Sequence, residues 1–553
     1  MKFEPVDVVI IGSGAGGGPV ALELARAGAR VVVLEKGRDP KTEDLVHDEI
    51  KMCRRNFFVP YPKDEPHTMR YGEKEKATRT HEGWTSNIVG GGTVHMSGYF
   101  MRLHPVDFQL RKTLGPIEGA SLADWPISYA ELEPFYARAE AEVGVSGAWK
   151  QHPFEEPRSA DYPMPPLNEH PFAEKIDEVA RGLGLHTFST PRGITSRPYK
   201  GRMACHYCAL CGSFGCEVSA KASTSVTLLP EAIATGRCEV RPQCMATEIE
   251  VDKEGRATGV VYRDPAGNTS VQPAKCVVLA ASAIESARLL LSSQSARFPR
   301  GLANGSGLVG KNLVFSSLAK GRALFRYATH EKDDWLAEAA PFVQRSMQDF
   351  YLLDKPQDGV RKAGTVLFAF AHPNPINTAE RIAGIGPTAV WGKRLKDKLR
   401  DEAKNARTLD FETFAEFLAT PGTYVDLDPE IKDRWAMPVA RMTITRHPHD
   451  LKATRLLALK GLEVLKGLKP DNAEILDTSG ETKILQGGTC RFGTDPAASV
   501  LDRSCRAHEV TNLYVTDGSF LPTSGGVPLT LTIMANAFRV GSLIAARFKA
   551  GKL

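Results

Sequence analysis

At 553 residues the chain exceeds one ordinary hydrophobic core, so two domains or a single large composite are expected. Hydrophobic residues at 42% and charged residues at 24% make an ordinary globular mix, and a net charge of +5 excludes the dense basic face of a nucleic-acid binder. The opening MKFEPVDVVIIGSG has no signal-peptide pattern and no run approaches the roughly 18 apolar residues of a membrane span, so a cytoplasmic protein with thiol or ligand cysteines is expected.

Residues 6 to 37 read as one βαβ unit: the strand VDVVIIG, the helix GGPVALELARAG and the strand RVVVLEKG. A glycine run, IVGGGTVHMSGYF, follows and needs a tight turn or a close approach to a ligand. Residues 110 to 145 read as helical, with Ser128 as cap and Glu131 three residues later. The proline-rich DYPMPPLNEHP reads as a crossover. From 237 to 282 the pattern turns to strands, with DPAG as a hairpin loop. Farther on, GKRLKDKLRDEAKNAR reads as a solvated helix face, TYVDLDPE and PVARMTIT as strands, and DLKATRLLALKGLEVLKGL as a helix. The last 60 residues return to short strands and tight turns and end in a helix.

GSGAGG supplies G-x-G-x-x-G through Gly12, Gly14 and Gly17, between a strand and a helix, with Glu35 ending the next strand. That context is the dinucleotide fingerprint: a tight turn at Gly12, backbone approach to a pyrophosphate at Gly14, helix–sheet packing at Gly17, and ribose hydroxyls on Glu35. The motif does not separate NAD from FAD; its N-terminal position in a long chain with a ligand-facing last segment favours FAD.

These stretches, with VGGGTVHMSG, DWPISYAELEPFYARAEAEVGV, VVLAASAIESARLLLSS and LYVTDGSFLPTSGGVPLTLTIMANAFR, occur in order from residue 6 to 545. Together they resemble the glucose–methanol–choline (GMC) oxidoreductase family, and within it the flavoprotein subunits of gluconate, fructose and FAD-glucose dehydrogenases. The resemblance implies a Rossmann-like α/β FAD-binding domain (1–110, 200–318 and 481–553) and an interleaved α+β substrate or cap domain with a mostly antiparallel sheet (111–199 and 319–480). It implies FAD contacts at Gly91, Gly92, Thr93, His95, Met245, Ala246, Ala281, Glu285, Asp517, Gly518, Val527 and Thr530, with His95 in a non-covalent role.

Four cysteines, Cys205, Cys208, Cys211 and Cys216, stand in CHYCALCGSFGC. Zinc knuckles are usually a dozen or more residues apart, whereas consecutive C-x2-C turns wrap an iron–sulfur cube. The resemblance implies a 3Fe-4S or 4Fe-4S cluster relaying electrons to a cytochrome or other acceptor, with a small subunit as a further partner that would carry the chain to the periplasm. Zinc and metal-free thiols stay open as alternatives.

The family takes the alcohol proton with a histidine and holds the same oxygen with a second His or Asn. The first belongs three residues before the glycine of GTCRFG, where this chain has Leu485, and the second falls on Pro528. No histidine occurs between His449 and His508, which leaves His447, His449 and, for orienting a substrate, Gln486 as candidates. Three functions are therefore expected in descending order. The first is a dehydrogenase acting on CH–OH of a sugar-like or cyclic alcohol, the second an ene-reductase or desaturase working on a C–C bond, and the third an electron carrier or non-redox flavin lyase or isomerase.

Overall fold

The structure is a computed structural model that describes residues 3–54, 56–83, 86–330, 342–371, 374–384, 386–479 and 483–553. Among the described residues no helix is long and apolar enough to cross a membrane. The boundary expected between residues 480 and 481 falls outside the described residues.

The expected βαβ unit forms as the strand Val6–Ile11, the helix Gly17–Arg26 and the strand Val31–Leu34. Both strands are runs of buried β-branched and aliphatic residues, as a parallel sheet covered on two faces requires. They lie in a sheet ordered Cys238–Arg241, Val31–Leu34, Val6–Ile11, Thr269–Leu279, Ala257–Arg263 and Met245–Val251, with Leu513–Val515 also paired to Thr269–Leu279. The strand Thr269–Leu279 has three partners: residues up to Pro273 pair antiparallel with Ala257–Arg263, and the later residues pair parallel with Val6–Ile11 on one side and Leu513–Val515 on the other. The hairpin expected at DPAG is the turn between these antiparallel strands. Helix Gly17–Arg26 crosses helix Thr530–Lys549 at Gly541, where an added Cβ would meet the Glu23 side chain at 3.0 Å.

A second sheet runs Asn472–Asp477, Lys320–Arg326, Ala406–Ala415, Gly364–Phe370, Val343–Met347 and Thr187–Phe188, antiparallel at every junction. Its strands alternate faces. Leu409, Phe411 and Ala415 pack with Leu457, Ala458 and Leu465 of helix Pro448–Gly467, while Phe342, Leu367, Ala369 and Phe414 turn to the core shared with the first sheet. Helix Gly392–Asn405 buries no residue, so the charged run is a solvated helix.

The stretch 110–145 is two helices rather than one, Leu110–Leu114 and Tyr129–Val143. Gly115, with φ of 75°, stops the first. Ser128 caps the second as expected, accepting from the Glu131 N–H at 3.2 Å while Glu131 accepts from the Ser128 N–H at 2.9 Å.

Candidate active site

A cavity of about 660 Å³ opens between the two sheets, within the usual size range of ligand and cofactor sites. One end is built by the nucleotide turn. Gly12 has φ of 98°, and an added Cβ would stand 2.3 Å from the Ala280 carbonyl oxygen. A Cβ on Gly17 would stand 2.0 Å from the Gly12 carbonyl oxygen, so Gly17 is there for packing and does not line the cavity. Gly14 and Gly91 face one another at the cavity wall, where a Cβ on Gly91 would stand 3.1 Å from the Gly14 Cα, and their backbones line the cavity where a phosphate group can approach.

Glu35 lines this end and is buried, accepting from the Ser13 N–H at 3.1 Å, the Ser13 hydroxyl at 2.6 Å and the Gly37 N–H at 2.8 Å. Burial raises its pKa above the ordinary carboxylate value although those donors oppose it. Ribose hydroxyls donating to it would add to the set that favours the charged form. Met245 and Ala246 line the same end, with Ala281 and Glu285. Glu285 is held in a buried network with His67 at 3.0 Å, Arg288 at 3.1 Å and Lys36 at 3.8 Å. Burial works against its charge, and Arg288, Lys36 and His67 nevertheless hold its carboxyl well below the usual range.

Toward the middle, Asp517 caps the short helix Gly518–Phe520, accepting from the Ser519 N–H at 2.8 Å and from the Ser286 hydroxyl. Among the described residues the Ser282 hydroxyl is buried with no hydrogen-bond partner, on a residue whose φ is 78° and which lines the cavity. An orphaned buried hydroxyl on a strained backbone beside a pyrophosphate-shaped turn is what a missing ligand would satisfy. The residues present therefore fit FAD. Gly91, Gly92, Thr93, His95, Gly518 and Thr530 line the cavity as the resemblance implied. His95 Nε2 lies 2.7 Å from the Ser86 hydroxyl, and burial, with Lys221 behind it, pushes its pKa down to about 3. Its imidazole is neutral.

Three expectations are corrected. Val527 is fully buried beside the cavity, whose wall is made by the following residues Pro528, Leu529 and Thr530. His447 is the N-cap of helix Pro448–Gly467: its Nδ1 accepts from the His449 N–H at 3.1 Å and its Nε2 faces the Glu118 carbonyl at 2.8 Å. Neither His447 nor His449 lines the cavity; the helix start takes the His447 side chain as its cap. Gln486 does line it, but its amide donates to the Gly83 carbonyl at 2.7 Å and accepts from the Ile284 N–H at 3.4 Å.

The four cysteines of the 205–216 loop are free and half-buried. Among the described residues no group of three or more His, Cys, Asp or Glu stands where it could hold a metal ion, so this arrangement does not gather Cys205, Cys208, Cys211 and Cys216 into a ligand set. Lys221, 2% exposed, donates to the carbonyls of Cys211 at 2.7 Å, Phe214 at 2.7 Å and Met96 at 2.9 Å, and so ties the loop to the cavity wall. Gly212 and Ser213 reach the cavity.

The far end of the cavity went unread in the sequence. Tyr99, Phe342 and Phe414 form an aromatic wall, with Tyr99 edge-on to Phe414 at 5.8 Å. Leu485, at φ of 57°, and Pro528 close it on the other side. Asp410, Glu412 and Lys320 bring charge to it. The alternation of Asp410, Glu412 and Phe414 along one strand was the available signal.

Two family models described as GMC oxidoreductase match residues 179–316 and 420–537, and one described as FAD binding domain matches residues 7–41. The chain is 31% identical to the 2-methyl-1,2-propanediol dehydrogenase of Mycolicibacterium austroafricanum, over 99% of this chain and 96% of that protein. It is 30% identical to the paromamine 6'-oxidase of Streptomyces fradiae (98% and 91% covered) and 26% identical to the fructose dehydrogenase large subunit of Gluconobacter japonicus (99% and 98%). The solved pyridoxine 4-oxidase of Mesorbium loti shares the fold, with a TM-score of 0.62 at 17% identity over 97% of this chain and 99% of that one. A nucleotide turn, an orphaned hydroxyl and full-length likeness agree: the chain belongs to the GMC oxidoreductase family and is a FAD-binding oxidoreductase.

Proposed function

We propose that the protein oxidises the CH–OH group of a small polyol or cyclic alcohol. The observation that carries this reading is a cavity whose one end is a dinucleotide site and whose other end joins an aromatic wall to the charged pair Lys320 and Glu412. Bound FAD would supply hydride acceptance. The chain's own residues hold its pyrophosphate on the Gly12–Gly14 and Gly91–Gly92 backbone, offer Glu35 to the ribose, and stack a ring-sized substrate against Tyr99 and Phe414. Relatives named as a 2-methyl-1,2-propanediol dehydrogenase, a paromamine 6'-oxidase and a fructose dehydrogenase large subunit support an alcohol as substrate.

The finer reading is a dehydrogenase whose electrons leave through an iron–sulfur centre on the cysteine loop. Its support is position and composition: four thiols in twelve residues, on a loop whose Gly212 and Ser213 reach the cavity. The ungathered sulfurs count against it, and no catalytic step is assigned to it here. Iron and acid-labile sulfide per flavin on anaerobically purified protein decide it: three or four irons support the relay, and flavin without iron ends it. A large-subunit relative supports a further subunit as partner.

A second reading, hydride transfer to or from a C–C bond, is favoured by Leu485 and Pro528 at the positions of the family's polar pair. Anaerobic mixing separates the two. An alcohol panel led by 2-methyl-1,2-propanediol is expected to bleach the flavin absorbance. Bleaching by a saturated ketone, with reoxidation by an enone and no response to alcohols, would replace the first reading with the second.

A further inference from the structure

An alcohol gives up hydride readily only as its hydroxyl proton leaves, so the site needs a base, and the usual position holds Leu485. Among the described residues five carboxylates and one histidine line the cavity. Glu35, Glu285 and Asp517 belong to the nucleotide end, where hydrogen bonds and ion pairs already engage them. His95 is turned to Ser86 and holds a proton only under strongly acid conditions. Asp410 is gripped by Arg322 through two bonds of 2.6 and 2.7 Å. The Tyr99 phenol, buried and facing the Glu412 charge, is held above its ordinary pKa and so stays protonated. One carboxylate is left.

We infer that Glu412 is the catalytic base: a carboxylate on the substrate side of the cavity that takes the hydroxyl proton in place of the absent histidine. The inference rests on the alcohol-oxidation reading. Glu412 sits on the strand Ala406–Ala415 on the same face as Phe414, so the aromatic wall and the carboxylate meet a substrate together. Lys320, opposite it on the neighbouring strand, lies 3.6 Å away with its side chain 53% exposed against 26% for Glu412. The gradient in exposure from Glu412 to Lys320 gives the proton a way out to solvent. Among the described residues the groups facing Glu412 are Lys320 from strand Lys320–Arg326, Leu367 from strand Gly364–Phe370, and Tyr99, with the Arg192 guanidinium 5.5 Å from the centre of the Tyr99 ring. In the step, the substrate O–H bond breaks and its proton passes to a Glu412 oxygen. The adjacent C–H bond breaks with its electron pair, which passes as hydride to oxidised flavin, and the carbonyl forms. Tyr99 keeps its proton and can donate to the same oxygen.

The test uses FAD-loaded protein and the alcohol that bleaches wild type fastest. Glu412→Gln is expected to slow anaerobic flavin reduction by about 10²–10⁴-fold and to abolish the rise of the rate with pH, while Glu412→Asp keeps that rise at a reduced rate. A second readout needs no turnover. Binding of the same alcohol to dithionite-reduced protein, followed by the flavin difference spectrum, is expected to weaken about tenfold in Glu412→Gln through loss of a charged hydrogen bond. Should Glu412→Gln lose flavin, Glu412→Asp carries both measurements. A Glu412→Gln protein that reduces at the wild-type rate with the wild-type pH profile overturns Glu412 as the base and leaves alcohol oxidation standing. Wild type that responds to no alcohol overturns both.

Discussion

Gly12→Ala should leave the protein without flavin. At φ of 98° the position suits glycine, and a side chain there costs about 1–2 kcal/mol before any contact is counted. The contacts decide the outcome. The new Cβ would stand 2.3 Å from the Ala280 oxygen and 2.8 Å from the Ala280 carbonyl carbon. Both are backbone atoms at the C-terminal edge of the sheet, next to the strand Thr269–Leu279, and they cannot rotate away as a flexible side chain would. The Gly12 turn must therefore shift, and with it the start of helix Gly17–Arg26, whose Gly17 rests on the Gly12 carbonyl. The expected result is at least a tenfold fall in the ratio of flavin to protein absorbance after purification, with the unfolding midpoint no longer raised by added FAD. Retention of full flavin content would show that this turn does not hold the pyrophosphate.

Lys362→Met should destabilise the fold strongly. Lys362 is fully buried, 3.0 Å from Asp107 and 2.7 Å from Glu416, whose side chains are also buried. Methionine matches its volume but strands two carboxylates, and breaking a buried pair by removing one partner costs about 3–5 kcal/mol. The damage would spread toward the flavin. Glu416 accepts from the Ser524 N–H at 2.9 Å, the Ser524 hydroxyl at 3.1 Å and the Gly525 N–H at 3.2 Å. Tyr351 donates to Asp107 and accepts from the Gly526 N–H at 3.1 Å. The residues that follow include Pro528, a wall of the cavity.

Burial lowers the Lys362 pKa, but Asp107 and Glu416 outweigh it and leave the folded value raised. A raised folded pKa means that the lysine's contribution is complete below its unfolded value of about 10.4 and fades only as pH climbs through the folded one. The difference between wild type and Lys362→Met in urea unfolding should therefore be constant across neutral pH and narrow above about pH 10.4. A Lys362→Met protein as stable as wild type at pH 7 would show that the cluster contributes nothing to the fold.

How much could be read without the structure follows the range of the interactions concerned. The nucleotide turn, the Ser128–Glu131 cap, the DPAG hairpin and the solvated helix Gly392–Asn405 were all legible in the sequence, because each depends on residues a few positions apart. Lining residues from Gly12 to Thr530 were placed through resemblance to a family, in which order along the chain stands for position in space. Where only packing decides, the sequence was silent or misleading. His447 and His449 looked like available bases, but a helix start consumes one and neither lines the cavity. Val527 and Pro528 are neighbours, and the chain's entry into the cavity wall divides them.

By itself, then, the sequence determined the dinucleotide turn, since glycine spacing is a local fact. Only the tertiary structure decided which side chains line the far end of the cavity. Glu412 reaches the cavity because the antiparallel register sets Ala406–Ala415 between Lys320–Arg326 and Gly364–Phe370, with its Asp410, Glu412 and Phe414 face turned inward. A shift of one residue would have sent those side chains to the helix Pro448–Gly467 instead, and no pattern within ten residues of strand fixes that choice.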